Sequence, residues 1–243
     1  MHIQAVLFDM FDTLMIIEKN HAFYSPAVRR MHTYLVRNNV PVSFAAFRDA
    51  YIKARDTLYE VADETMEEPH FNVRVANALQ NLGYSYSIES DVVAGATNAF
   101  CQEFMNYIRI DDNAAETLKQ LHAKYKLGIV SNFAIPECVM KLLAAHQLTE
   151  LLDVVIVSAA VNKRKPSPEI FQAALQKLQI APENAVFVGD TVDADIKGAN
   201  EVGMHTVYIE RRIQKDLEQN CPDVTVKNLN ELPSAIEKIE QLE

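Results

Sequence analysis

Four short clusters of polar side chains, each placed at or shortly after an apolar run, carry the chemistry this chain offers. Asp9-Met10-Phe11-Asp12-Thr13-Leu14 follows Ile3–Phe8, and Ser131-Asn132 follows Gly128-Ile129-Val130. Lys165 sits in Lys163-Arg164-Lys165-Pro166-Ser167-Pro168, and Gly189-Asp190-Thr191-Val192-Asp193-Ala194-Asp195 follows Ala185–Val188. Hydroxyl and amide groups donate hydrogen bonds to an oxyanion, a lysine sets a point charge beside it, and carboxylates offer oxygen to a hard cation. Asp9, Asp190 and Asp195 drawn together would raise one another's pKa, a cost that a divalent cation removes. Any one cluster alone is an ordinary strand end or turn. Their weight lies in their joint order along the chain.

Groups so distant in sequence meet only if the elements before them end in one place. Ile3–Phe8, Leu127–Val130, Val154–Val157, Ala185–Val188 and Thr206–Ile209 are short apolar runs of the kind that form strands buried on both faces. Helical patterns separate most of them, which predicts an α/β fold, a Rossmann-like parallel sheet whose strand ends converge on one crevice. Asp111 or Asp112 is placed to cap the helix carrying Leu118 and Leu121; Ser167 is placed to cap one that begins at Pro168, and Pro136 suits a first helical position. Gly203 closes the helix after Asp195.

Residues 16–109 read differently. Phe44, Phe47, Tyr51, Ala54 and Leu58 recur at helical spacing after Ser43, as do Val93, Ala96, Phe100 and Phe104 after Ser90. The stretch is predicted to be an all-helical insertion between two parts of the core, residues 1–15 and 110–243, with its aromatic residues serving as packing.

At 243 residues, with 49% hydrophobic and 23% charged side chains, the chain has the balance of a globular protein with a sizeable core. A net charge of -10 argues against a nucleic-acid partner. Cys101, Cys138 and Cys221 form no paired spacing, and neither a leader-like start nor a run of 18 apolar residues is present. These features predict a soluble, reduced, cytoplasmic protein, monomeric or homodimeric, without a membrane partner.

The four clusters in this order resemble those of the haloacid dehalogenase superfamily of hydrolases, in the branch with a helical cap after the first cluster. The resemblance spans almost the whole chain. It implies that Asp9 is a nucleophile forming an aspartyl-phosphate, that Ser131, Asn132 and Lys165 bind a small anionic substrate, and that magnesium is the cofactor. The metal would be held by Asp9, the backbone carbonyl of Phe11, Asp190 and Asp195, the last directly or through water. Asp193 is expected to face solvent or cap the following helix.

One position departs from the phosphatase pattern. Phosphatases of this family usually carry a second Asp two residues after the nucleophile, to protonate the leaving oxygen; here that residue is Phe11. Asp12 follows it and reaches the site only if the backbone turns at once, since side chains of an extended chain alternate; otherwise it is a turn residue bonded to nearby backbone. Three readings stay open. One is a magnesium phosphohydrolase in which Asp12 helps or no acid is needed, and another is a 2-haloacid dehalogenase forming an ester on Asp9. The third is a non-catalytic protein that binds a phosphorylated ligand. Phosphonate cleavage would require a cap lysine, and Lys19 and Lys53 have no distinctive setting. Histidines 2, 21, 32, 70, 122, 146 and 205 include no metal-ligand spacing. Arg29, Arg30 and Arg37 belong to a predicted helix in which arginine ordinarily meets solvent, with an anionic substrate as the alternative, and Arg211-Arg212 is too short for a polyanion site.

Overall fold

The apolar run after Gln4 folds as β1 (Ala5–Phe8), all four residues of which are buried. Alternation sends Val6 and Phe8 into one apolar layer and Ala5 and Leu7 into the other. A strand covered on both faces has no position where a polar side chain is favoured, hence the unbroken run. The computed structural model describes residues 2–18, 22–211 and 221–241; Lys19, His21 and Arg212 lie outside them.

Beyond the first loop, β2 (Met15–Ile17) pairs antiparallel with β3 (Ile108–Ile110), Ile16 opposite Arg109. Between these strands come α1 (Tyr24–Arg37), α2 (Phe44–Thr65), α3 (Phe71–Asn81) and α4 (Asp91–Met105). The Ser43 hydroxyl accepts from the Ala46 N–H and the Ser90 hydroxyl from the Val93 N–H, so both helices start where their capping residues predict. Then follow α5 (Ala114–His122), β4 (Lys126–Ser131), α6 (Pro136–Ala145), β5 (Val154–Val157), the single turn α7 (Ser158–Val161) and α8 (Pro168–Leu178). The chain ends with β6 (Ala185–Gly189), a π-helical turn at Val192–Ile196, α9 (Lys197–Glu201), β7 (His205–Ile209), β8 (Val224–Val226) and α10 (Leu232–Glu240).

Six strands form one parallel sheet in the order β5-β4-β1-β6-β7-β8. From β4 the chain moves outward to β5, and from β6 it moves the opposite way to β7 and β8. The order therefore reverses around β1, where a crevice opens beyond the strand ends. Residues of α5, α6 and α10 share the apolar layer of Phe8, and residues of α8 and α9 share that of Leu7. Close packing requires Gly128, whose added Cβ would lie 2.4 Å from Val154 Cγ1 and 2.7 Å from Leu7 Cδ2. No described helix is long and apolar enough to cross a membrane.

Several local expectations change. The seams of residues 16–109 are strand rather than helix or loop, because β2 and β3 satisfy each other's backbone groups. Helix α5 starts one residue later than an Asp112 cap would allow: Asn113 is its N-cap, and Asp111 instead accepts the Asn113 N–H and pairs with Arg211 at 2.7 Å. Ser167 precedes α8 as expected, but its hydroxyl donates to Glu169 and leaves the helix N–H groups alone. Cys101 and Cys138 are buried and unbridged, and Cys221 is exposed.

Candidate active site

Because the strands are parallel and in close register, their carboxyl ends deliver Asp9 after β1, Ser131 at the end of β4 and Asp190 after β6 to one side of the sheet. Phe8 is level with both Ile129 and Val188. Lys165 arrives from the loop between α7 and α8. Its Nζ lies 2.7 Å from Asp9 Oδ1 and 2.7 Å from Asp195 Oδ1, and all three side chains are nearly devoid of solvent. Asp195 reaches back because the π-helical turn compresses Thr191–Ile196: its N–H donates to the Thr191 carbonyl and its Oδ2 accepts the Thr191 N–H. The return path passes over Gly189, where an added Cβ would stand 2.4 Å from Asp195 Cγ.

Asp9, Asp190 and Asp195 each bring a carboxylate oxygen within 4.8 Å of the others, all buried. Three buried carboxylates drawn this close together, with Lys165 paired to Asp9 and Asp195, offer the oxygen ligands that a divalent cation takes. The Asp9 pKa bears the cost: burial first and then the Asp195 charge push it up to about 6, against the opposing pull of Lys165. Burial works against the Lys165 charge as well, but Asp195 and Asp9 outweigh it and hold its pKa above the ordinary lysine value. The Ser131 hydroxyl at the end of β4 and the Thr13 hydroxyl in the loop after β1 are fully buried without a hydrogen-bond partner among the described residues. An anion seated at the strand ends would satisfy such donors. The residues present therefore fit both magnesium and a phosphoryl group.

The remaining predicted residues divide. Asn132 closes a reciprocal pair with the Lys165 backbone, Nδ2 donating to its carbonyl at 2.9 Å and Oδ1 accepting its N–H at 2.7 Å. Both ends of its amide thus serve to fix the lysine. Asp193 is exposed. The chain does turn right after Phe11, since Asp12 has φ 61, but Asp12 Oδ1 accepts the Ile17 N–H at 3.0 Å. The turn anchors the entry to β2, and Asp12 is not one of the three clustered carboxylates. Asp12→Ala should accordingly destabilise the protein by about 1–2 kcal/mol, through a lost backbone acceptor and a strained positive φ. It should slow alkyl and acyl phosphates to the same degree; paired denaturation curves and rates on both substrate types would show this.

Phe11 points away from acid chemistry. Its ring packs against Phe133 at 4.9 Å and Phe104 at 5.4 Å between centroids, and Phe23 meets Phe104 edge to face in turn. Arg29 lies over the Phe44 ring and Arg30 pairs with Glu103, both exposed, and Arg37 is exposed as well. Lys53 is also exposed. Sequence reasoning missed Arg211, whose Nη2 holds both Asp111 and the Thr13 carbonyl and so pins the loop after Asp9. It also missed Arg74, a buried residue of α3 that had no signal beyond an amphipathic helix pattern.

Fold and site together define a hydrolase of the haloacid dehalogenase type. The family model for haloacid dehalogenase-like hydrolases matches residues 3–203, and the chain belongs to that family. Among its relatives is a glyceraldehyde 3-phosphate phosphatase of Methanopyrus kandleri, 30% identical over 98% of both chains. A second, from Pyrococcus furiosus, bears the same name and is 27% identical over 98% of this chain and 94% of its own. A 2-haloacid dehalogenase from Pseudomonas syringae pv. tomato DC3000 shares the fold, with a TM-score of 0.73 at 21% identity over 97% of this chain and 99% of that one.

Proposed function

We propose that this chain is a magnesium-dependent phosphohydrolase that acts on a small phosphorylated metabolite through an aspartyl-phosphate on Asp9. The observation that carries the reading is the buried cluster of Asp9, Asp190 and Asp195, close enough to share one cation, with Lys165 paired to Asp9 and Asp195. The phosphatase names of the two relatives that span the whole chain support it.

A carboxylate oxygen of Asp9 attacks phosphorus in line, and the bond from phosphorus to the leaving oxygen breaks with its electron pair on that oxygen. Water then attacks the aspartyl-phosphate, loses its proton to solvent or phosphate, and restores the Asp9 carboxylate. Lys165 stays charged and offsets phosphoryl charge, while the Ser131 hydroxyl donates to a phosphoryl oxygen. Asp9, Asp190, Asp195 and the Phe11 carbonyl would hold magnesium, which when bound balances the carboxylates and draws charge from the phosphoryl oxygens. Helices α1–α4, within residues 16–109, act as a cap on a core made of residues 1–15 and 110–243, excluding water and selecting the substrate. The site of action is the cytoplasm.

Purified protein should release phosphate from 4-nitrophenyl phosphate with magnesium and lose at least about 90% of that rate with chelator, since the crowded carboxylates then lack the cation that relieves their mutual repulsion. Chloride release from 2-chloropropionate without metal and without phosphatase activity would install the dehalogenase reading. Tight binding of a phosphorylated ligand with no turnover would install the non-catalytic one.

A further inference from the structure

A cavity of about 440 Å³ lies against the helices between β2 and β3, and its wall includes Asn132, Phe133 and Arg164, the chain neighbours of Ser131 and Lys165. The lining also includes Tyr24, Tyr59, Phe71 and Arg74. The loop after α2 ties this wall to the core, the Arg164 N–H donating to the Met66 carbonyl and the Phe71 N–H to the Ala134 carbonyl.

Arg74 is 8% exposed. Its guanidinium lies 5.0 Å from the Phe71 ring centre, 5.1 Å from that of Tyr59 and 6.0 Å from that of Tyr51. Nη1 reaches the Tyr51 hydroxyl at 3.4 Å, while Nε is buried with no acceptor. No carboxylate among the described residues pairs with it. Of the two acids lining the cavity, Asp63 is exposed, and Glu68 accepts from the Ser158 hydroxyl. Burying a guanidinium without a counter-ion is costly, and ring faces return only part of that cost. A vacant N–H on a buried cation at a cavity wall asks for an anion from outside the chain. One guanidinium balances one charge, so a carboxylate matches it better than a phosphate dianion would.

We propose that Arg74 binds a carboxylate on the substrate's far end, so that the preferred substrates are small phosphorylated carboxylic acids. The proposal rests on the phosphohydrolase reading for the placement of the phosphoryl group at the strand ends, and it adds the chemistry of the tail.

Two three-carbon probes isolate that tail: 3-phosphoglycerate carries a carboxylate where glycerol 3-phosphate carries an alcohol. With magnesium present, calorimetric titration of the full chain should show 3-phosphoglycerate binding at least about tenfold more tightly, as a charge-assisted pair predicts. Arg74→Gln should weaken 3-phosphoglycerate at least about tenfold and glycerol 3-phosphate less than about threefold, and Arg74→Lys should restore part of the difference. Equal affinity of the wild-type protein for both probes would overturn the proposal even if the Gln variant fails to fold. So would equal weakening of both probes by Arg74→Gln, which marks a purely structural arginine. The 4-nitrophenyl phosphate assay of the wild type separates the two readings. Turnover without carboxylate preference rejects only the Arg74 assignment, and carboxylate preference without turnover of any phosphate rejects only the phosphohydrolase.

Discussion

Asp9→Asn should abolish phosphate release, by at least about 10³-fold, and at the same time make the metal-free protein more stable at neutral pH. The two effects share one origin. Asp9 is buried at the end of β1 beside Asp195, and those conditions push its pKa to about 6, where the unfolded chain keeps the ordinary carboxylate value of 3.8. Between pH 4 and pH 6 the folded state therefore holds a proton that the unfolded state has released. Folded stability falls as pH rises through that window, and above it the full penalty remains, on the order of 1–3 kcal/mol. Asn has the same shape without the charge, so the variant should melt above the metal-free wild type at pH 7.5 and level with it near pH 4. Magnesium should reverse the ranking at pH 7.5, because ligand at a hundred times its dissociation constant adds about 2.7 kcal/mol to the form that binds it. Calorimetric melts with chelator and with magnesium at the two pH values, alongside phosphate assays, check each part. A variant that keeps turnover would remove Asp9 as nucleophile, and a variant no more stable than wild type in chelator would remove the charge argument.

The parts of this fold that the sequence discloses are those where one physical rule acts alone. Ala5–Phe8, Val154–Val157 and Ala185–Val188 read as strands because a doubly covered strand tolerates only apolar side chains, and each lies in the sheet as predicted. The three-residue strands Met15–Ile17 and Ile108–Ile110 escape the same reading. They are half-buried, and mutual pairing holds them together more than composition does. At the site, Asp9, Ser131 and Asp190 follow from the ends of strands, while Lys165 and Asp195 come from a loop and a π-helical turn that the order of the clusters along the chain points to. Asp12 has two readings in the sequence, and the structure takes the turn-residue one: at positive φ its carboxylate accepts the Ile17 N–H. Asn132 was legible as polar and near the site, but its bond to the Lys165 backbone depends on a loop conformation no spacing encodes. Arg74 illustrates the largest gap. In a linear pattern, a charged residue on a helix reads as surface, and only packing reveals that three rings surround it.

Phe11 makes the leaving group the discriminating variable. With an aromatic ring where a proton donor would stand, the departing oxygen must leave as an anion or take its proton from solvent or substrate. General acid help is worth roughly 10²–10⁴ in rate, and its absence weighs on poor leaving groups far more than on good ones. The wild-type protein should therefore hydrolyse acyl and nitrophenyl phosphates about 10²–10⁴ times faster than a simple alkyl phosphate under saturating conditions, a far steeper dependence than a phosphatase with an acid in place would give. Phe11→Asp should raise the alkyl rate and leave the acyl rate nearly unchanged, flattening that slope. The substitution has a structural cost, because the ring contacts with Phe104 and Phe133 are lost and a carboxyl enters an apolar cluster, together about 2–4 kcal/mol of stability. Phe11→Ala separates the two consequences: it loses the same contacts and admits the same water but supplies no proton. If the alkyl rate rises in the Asp variant alone, the missing acid is what limits the wild-type enzyme. If it rises equally in both, the ring limits turnover by occupying space, and the leaving oxygen already obtains its proton from another source.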